Sequence, residues 1–349
     1  MKQLFLFLSA AILLASCTKD PDDQSGSFLA GNGVFIINEG NFMGGNGSLS
    51  FYSYDSLKIY NDLFINANGR PLGDVPNSMA ISGERIYIVV NNSGKVEVVD
   101  KNTMESVKTI TGLKAPRNIA IISSTKAYVT SIYSDSLAIL DLSDNSVSGY
   151  INLRRSSEAI SVIRNKAFVA NWVGGNEVMV IDTDTDRLTD SVEVAPEPES
   201  MVIDRNNTLW VLCNGGWKRE YFAELIAVNT LTNAIEKRLP FPSIQQSPSC
   251  LQINGEGSAL FFLESGVHRI RTDASAIPAE ALIPQTKQYF YKLGINPVNG
   301  DILVTDAVDY QQKGHLLIYK SDGTPESDLL ADVIPGMMHF KLNNDFQPR

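Results

Sequence analysis

The chain has 349 residues, 44% of them hydrophobic and 19% charged, and its 29 Lys and Arg against 39 Asp and Glu give a formal net charge of −10. The apolar share is enough for a packed core, which excludes a wholly disordered chain. The acidic balance excludes binding driven by a general attraction to nucleic-acid phosphates, although a local basic rim remains compatible with it.

Taken from its start, the chain opens with Lys2 and a short apolar run from Leu4 to Leu14. This predicts an export signal over residues 1–16, too short to stay in a bilayer as a spanning helix. The signal ends in Leu14-Ala15-Ser16-Cys17. Residues 17–30 then carry Asp20, Asp22 and Asp23 with Pro21 and Gly26. Such a polar, acidic stretch cannot bury a core and reads as a tether. Residues 31–349 show no linker-like shift in composition and are expected to form one domain.

Strand material begins after Gly33, in VFIINEG and SLSFYSYD. From Arg85 the pattern is plain: Ile86, Ile88 and Val90 alternate with Tyr87 and Val89, Asn91-Asn92-Ser93-Gly94 breaks the run, and Val96, Val98 and Val99 resume it. Period-2 apolar spacing between polar turn clusters predicts short antiparallel strands. Copies follow from Lys126 and Lys166, and each sets an Asp (Asp100, Asp141, Asp182) after an apolar strand. A period of roughly 40 residues with about four strands per copy predicts an all-β propeller. Full units start near Pro76, Pro116, Ser156, Pro198, Pro248 and Tyr289. The first unit lacks its opening strand, while Met337 to Leu342 is strand-like and has no unit of its own. Pairing the two predicts a seven-bladed ring closed by the C-terminal strand, with no open sheet edge. A six-bladed ring with a loose first unit is the alternative.

The Pro or small residue before each inner strand, the pairs Tyr128-Val129 and Phe168-Val169, and the Val/Ile-Asp strand ends resemble the YncE-like (YVTN-type) seven-bladed propellers. The sequence around Cys17 resembles a lipobox, and the acidic run after it is similar to the surface-export signal of Bacteroidetes lipoproteins. Together these resemble the propeller lipoproteins that Bacteroidetes encode beside TonB-dependent receptors, among them binders of ferric catecholate siderophores. The resemblance implies lipidation at Cys17, an outer-membrane, cell-surface location, capture of a ferric siderophore and its delivery to a TonB-dependent receptor. Iron would enter only as part of the bound siderophore, with no resident cofactor or metal.

The residues themselves point the same way. His268, His315 and His339 show no metal-ligand spacing, and no nucleophile elbow, P-loop or Rossmann glycine pattern stands in its required context. Cys213 and Cys250 lie in apolar, strand-like stretches and are expected to be free thiols. Asp182-Thr183-Asp184-Thr185-Asp186 lacks a full calcium loop and reads as a solvated turn. Binding is therefore expected rather than catalysis. The loops that follow second strands and the crossings between blades leave from one rim, where loops carry binding residues on a rigid frame. They hold Phe42, Trp172, Trp217, Lys218, Arg219, Tyr221 and Tyr310, with Arg70, Arg117, Arg154 and Arg155 from the crossings. Aromatic faces beside guanidiniums suit a flat anionic ligand. A protein- or glycan-interaction propeller is the alternative, and a propeller lyase using one of the His residues a third reading.

Overall fold

The computed structural model of the protein describes residues 28–216 and 218–342. These residues form seven four-stranded antiparallel sheets. Blade 1 has Pro335–Lys341 as its inner strand, followed outward by Gly33–Asn38, Ser48–Ser53 and Lys58–Tyr60. Blades 2 to 7 each take four consecutive strands, with inner strands Pro76–Ser82, Pro116–Ser123, Ile160–Ile163, Pro198–Ile203, Ser249–Ile253 and Phe290–Ile295. The expected unit starts fall on or within a few residues of these strands. Seven blades stand, and the six-bladed alternative does not.

The period-2 pattern has a direct structural cause. Successive side chains of a strand point to opposite faces, and here both faces are buried against a neighbouring blade. Phe35, Ile37 and Phe51 of blade 1 pack against Met79, Ile86 and Ile88 of blade 2. The intervening Val34, Ile36 and Tyr52 pack against Leu303, Leu316 and Ile318 of blade 7. Middle strands consequently read as near-continuous apolar runs, as in Arg85–Val90 and Glu177–Asp182. The outermost strands, such as Arg187–Glu193, face solvent and are polar.

A second set of contacts ties consecutive blades at the rim where third strands turn into fourth. Tyr87 donates to Asn145 at 2.8 Å, Lys126 to Asp186 at 2.7 Å and Lys166 to Asn233 at 2.9 Å. The three acceptors hold equivalent turn positions in blades 3, 4 and 5, with φ of 57°, 55° and 59°. Asn and Asp tolerate that left-handed conformation better than other side chains. The acidic turn Asp182 to Asp186 is one of these acceptors, and Asp182 also receives the Thr185 N–H at 2.8 Å.

The packed domain starts slightly earlier than expected. Phe28–Ala30 forms a short 3-10 turn, Phe28 stacks on Tyr60 at 3.8 Å between ring centroids, and Leu29 is buried. The last three residues assigned to the tether are thus clamped to blade 1 by aromatic stacking. The expected export signal, Cys17 and the remainder of the expected tether lie outside the described residues.

Closure is antiparallel, with Gly33 opposite Lys341, Val34 opposite Phe340, Phe35 opposite His339 and Ile36 opposite Met338. Removing the residues after Pro335 would take Met337, Met338 and Phe340 from the two interfaces of blade 1. A buried large apolar side chain contributes roughly 1.5–3 kcal/mol, against a total stability of about 5–15 kcal/mol. The truncated chain is expected to lose its cooperative melting transition by circular dichroism. An unchanged melting curve would refute this closure.

Candidate functional site

Antiparallel alternation sends the loops between second and third strands, and the crossings between blades, to one rim. At this rim the inner strands begin, and each is irregular there. Register shifts occur between Pro76 and Ser78, Pro116 and Ile119, Pro198 and Ser200, Ser249 and Gln252, and Phe290 and Lys292. In blade 4 the Glu158 N–H donates to the Ala170 carbonyl and the Ala170 N–H to the Ala159 carbonyl, both at 2.9 Å. Two residues thus face one, as in a bulge. Pro76, Pro116 and Pro198 begin their strands, where a missing N–H breaks no ladder bond. The residues before them, Val75, Ala115 and Glu197, have φ of 54°, 42° and 57°, which turns the chain sharply into the inner strand.

A bulge re-aims a side chain and ends regular pairing. The residues in these bulges include Asn77, Arg117, Glu158, Glu199, Cys250 and Tyr291, and together they form the mouth of the ring's axis. Arg117 Nε donates to both carboxylate oxygens of Glu158, at 2.9 and 2.8 Å, and both side chains are mostly buried. Burial alone would lower the Arg117 pKa. Glu158 outweighs it, and with Glu39 and Tyr291 holds Arg117 above its ordinary range. Since Glu39 belongs to blade 1, Arg117 to blade 3 and Tyr291 to blade 7, these groups sense one another across the mouth. The Tyr291 hydroxyl donates to Glu39 Oε1 at 2.8 Å. Lys292 Nζ lies 5.0 Å from the centre of the Tyr291 ring. Cys250, then Tyr291, Glu199 and Glu39, hold its ammonium above the ordinary range.

On the other wall, the Cys250 N–H donates to Glu199 Oε2 at 2.9 Å. Burial pushes the Cys250 thiol up to about 11 and also raises Cys213. Both thiols are free and buried, and their protonated form is a poor nucleophile. Tyr289 and Tyr291 meet Tyr310 edge to face, with centroids 5.3 and 5.5 Å away.

The expected ligand residues lie on this rim in different states. Arg117 and Tyr310 belong to the mouth itself. Trp172 is half-buried in the blade 4 loop, and its indole N–H is buried without an acceptor among the described residues. Phe42 and Tyr221 are 69% and 55% exposed at loop tips. Lys218 and Arg219 are exposed, with an Arg219 Nη1 bond to the Gln245 carbonyl. Three arginines stand apart from the mouth. Arg70 is held by Glu97 at 2.7 Å, Arg155 by Glu177 at 2.5 Å, and Arg154 lines an outer groove between blades 3 and 4. Trp217 lies outside the described residues. Sequence reading missed Glu39, Glu158, Glu199, Tyr291 and Lys292. The signal that finds Glu158, Glu199, Tyr291 and Lys292 is the start of each inner strand, compared from blade to blade, whereas Glu39 follows the end of the second strand of blade 1.

Among the described residues, no three His, Cys, Asp or Glu side chains converge as metal ligands. His268 stacks on Phe262 and contacts the Glu264 carbonyl at 3.0 Å, and His315 Nδ1 lies 2.5 Å from Asp328. His339 is half-buried on the inner strand of blade 1.

Residues 32–330 match the family described as a domain of unknown function, DUF5074. The chain belongs to that family. Among curated proteins it is similar to the seven-bladed beta-propeller protein Rv1057 of Mycobacterium tuberculosis, 31% identical over 143 residues. That match spans 38% of this chain and only 35% of the relative. A quinonprotein alcohol dehydrogenase-like protein from Bacteroides thetaiotaomicron aligns over 89% of this DUF5074 chain and 78% of its own, with TM-score 0.69 and 13% identity. A putative 6-phosphogluconolactonase from Bacteroides fragilis aligns over 90% and 99%, with TM-score 0.66 and 13% identity. A protein of unknown function from Desulfotomaculum acetoxidans gives TM-score 0.68 at 12% identity, over 90% and 100%. At such identities these structures establish the shared propeller fold and nothing of the chemistry.

The half-buried imidazole of His339 on the inner strand generates a pH prediction. Burial pushes its pKa down from 6.5 to about 4. Between those values the unfolded chain binds the proton and the folded chain does not, so stability falls as pH drops through that window. The full effect is roughly 2–3 kcal/mol. His339→Gln should flatten this dependence in denaturant titrations run from pH 7 to pH 4, and an equally steep loss in the variant would exclude His339 as its source.

Proposed function

We propose that the protein captures a small ligand at the axial mouth and does not transform it. The observation that carries this reading is the gathering of mostly buried charged groups, Arg117, Glu158, Glu39 and Glu199, with the Tyr289, Tyr291 and Tyr310 rings at one rim. Aromatic faces with a few convergent polar groups are the usual make-up of a small-molecule site. The reading as a binder is supported by the inert thiols and by histidines engaged elsewhere.

The finer reading rests on the sequence resemblance. It makes the protein an outer-membrane lipoprotein anchored through Cys17, exposed at the cell surface, which passes a ferric catecholate siderophore to a TonB-dependent receptor. Cationic and aromatic groups on one rim support an anionic aromatic ligand. A second reading, a rim that docks a protein, is favoured by one observation: Phe42, Met43, Tyr133 and Tyr221 are all more than half exposed on its loops. Large apolar side chains gathered around one face mark interaction surfaces.

Calorimetry and tryptophan fluorescence of the mature protein with several ferric catecholates test the first reading. Saturable heat and a change in emission are expected. Silence across the series, with recovery of an outer-membrane partner in pull-downs, would favour the second. Cys17→Ala should move the protein out of the membrane fraction in detergent partitioning, and unchanged attachment would sink the lipid anchor.

A further inference from the structure

We propose that the junction where the ring closes holds a hard divalent cation of the calcium type, bound between blades 1 and 7 by oxygens of Asn38, Asp332 and Asp62. This site is separate from the capture of a ligand on the axis and does not rest on it.

Hydrogen-bond direction fixes the first ligand. Asn38 is 0% exposed, at the mouth end of the second strand of blade 1. Its Nδ2 donates to the Ser48 hydroxyl at 3.0 Å and to the Ser50 hydroxyl at 2.8 Å. Neither hydroxyl has a proton to return. Ser48 donates to Asp332 Oδ2 at 2.8 Å, and Ser50 to Asn61 Oδ1 at 2.6 Å. Asn61 is oriented in turn by its own bond to the Leu330 carbonyl at 3.1 Å. Turning the Asn38 amide over would press its oxygen against two oxygens that have no proton to offer. Asn38 Oδ1 is therefore left over, buried and without a hydrogen-bond partner among the described residues. A buried acceptor in that state is unfavourable unless a donor or a cation reaches it.

The same network carries negative charge. Asp332 is 8% exposed, and its oxygens accept from Ser48, from the Val333 N–H at 3.0 Å and loosely from Lys313 Nζ at 3.5 Å. A carboxylate has about four lone-pair sites, so Asp332 keeps one free. The Ser48 hydroxyl touches both the Asn38 amide and Asp332, which sets the unpartnered oxygen and the acid around one polar space. Asp62 joins them. It precedes the short helix Leu63–Asn68, yet its side chain makes no capping bond and turns to Asp332 instead. Burial and then Asp332 hold the Asp62 carboxyl above its ordinary range, while Lys313 acts the other way. Two neighbouring carboxylates thus share one half-exposed lysine.

A water would serve Asn38 alone. A cation serves Asn38 and also offsets the repulsion between the two acids. Oxygen donors with no thiolate or imidazole among them select a hard ion, and Ca2+ accepts irregular geometry completed by water. Bound there, the ion would tie the second strand of blade 1 to the segment that leads from blade 7 into the closing strand.

The test is calorimetry and thermal melting of the mature protein, first dialysed against EDTA and then titrated with Ca2+. Saturable heat for one ion per chain is expected, with a higher melting temperature in Ca2+ than in EDTA. Asp62→Asn should weaken the binding at least tenfold. Asn tolerates the φ of 60° held by Asp62 and no capping bond is lost, so this variant stays folded. Asp332→Asn should act in the same direction. Asp184→Asn, in the exposed acidic turn of blade 4, should leave the affinity within about twofold. Absence of calcium heat with identical melting curves in EDTA and Ca2+ would overturn the site. So would binding that Asp62→Asn leaves unchanged, or binding that Asp184→Asn removes. Titration with ferric catecholates reads the axial mouth separately, so failure of either reading leaves the other standing.

Discussion

Pairing of the last described strand with Gly33–Asn38 is the constraint on which the ring depends. In an open array of repeats each unit has neighbours on two sides except at the ends, where a hydrophobic face would be left in water. Here blade 1 would be such an end twice over. Without Pro335–Lys341 it has no inner strand, and Phe35 and Ile36 lose the residues opposite them. With that strand in place, blade 1 buries one face on blade 2 and the other on blade 7. Chain end and chain start are thereby held by the same backbone ladder.

Closure also creates the site. A ring brings seven inner strands to one axis, and the mouth exists only because blades far apart in sequence meet there. Glu39 and Tyr291 share a hydrogen bond although 252 positions separate them. The bulges then decide which side chains are offered. Regular pleating would send alternate residues into the two blade interfaces. Where two residues face one, the pleat is interrupted and a side chain can turn inward. Charged residues in these bulges, Arg117 and Glu158 foremost, are tolerated because they meet each other at the mouth rather than an apolar neighbour.

This explains what the sequence could and could not reveal. Strand order, blade number and the closing strand were legible because each blade repeats apolar alternation between Asn, Ser and Gly turns. The rim was legible too, since strand alternation alone puts Trp172, Arg219 and Arg117 on one side. The state of each residue there was not. Arg70 and Arg155 read as free guanidiniums, but Glu97 and Glu177 come from neighbouring strands to hold them. Lys292 escaped for the opposite reason. In the run Tyr291-Lys292-Leu293 it looks like an outward residue of a half-buried strand, and period-2 reasoning fails where a bulge resets the phase.

The two rims divide the demands on the fold. On one, Tyr87, Lys126 and Lys166 reach into the turn of the next blade and meet Asn145, Asp186 and Asn233 at positive φ. That geometry favours particular residues, so the rim repeats from blade to blade. On the other rim equivalent positions hold Asn77, Arg117, Glu158, Glu199 and Tyr291, an amide, a guanidinium, two carboxylates and a phenol. Nothing in the inter-blade cores requires them, because each core is built from the apolar faces below. Residues at the mouth are thus free of the repeat that the ring needs for its stability. Their divergence is what a ligand site requires, since seven identical side chains around an axis would offer only one kind of contact.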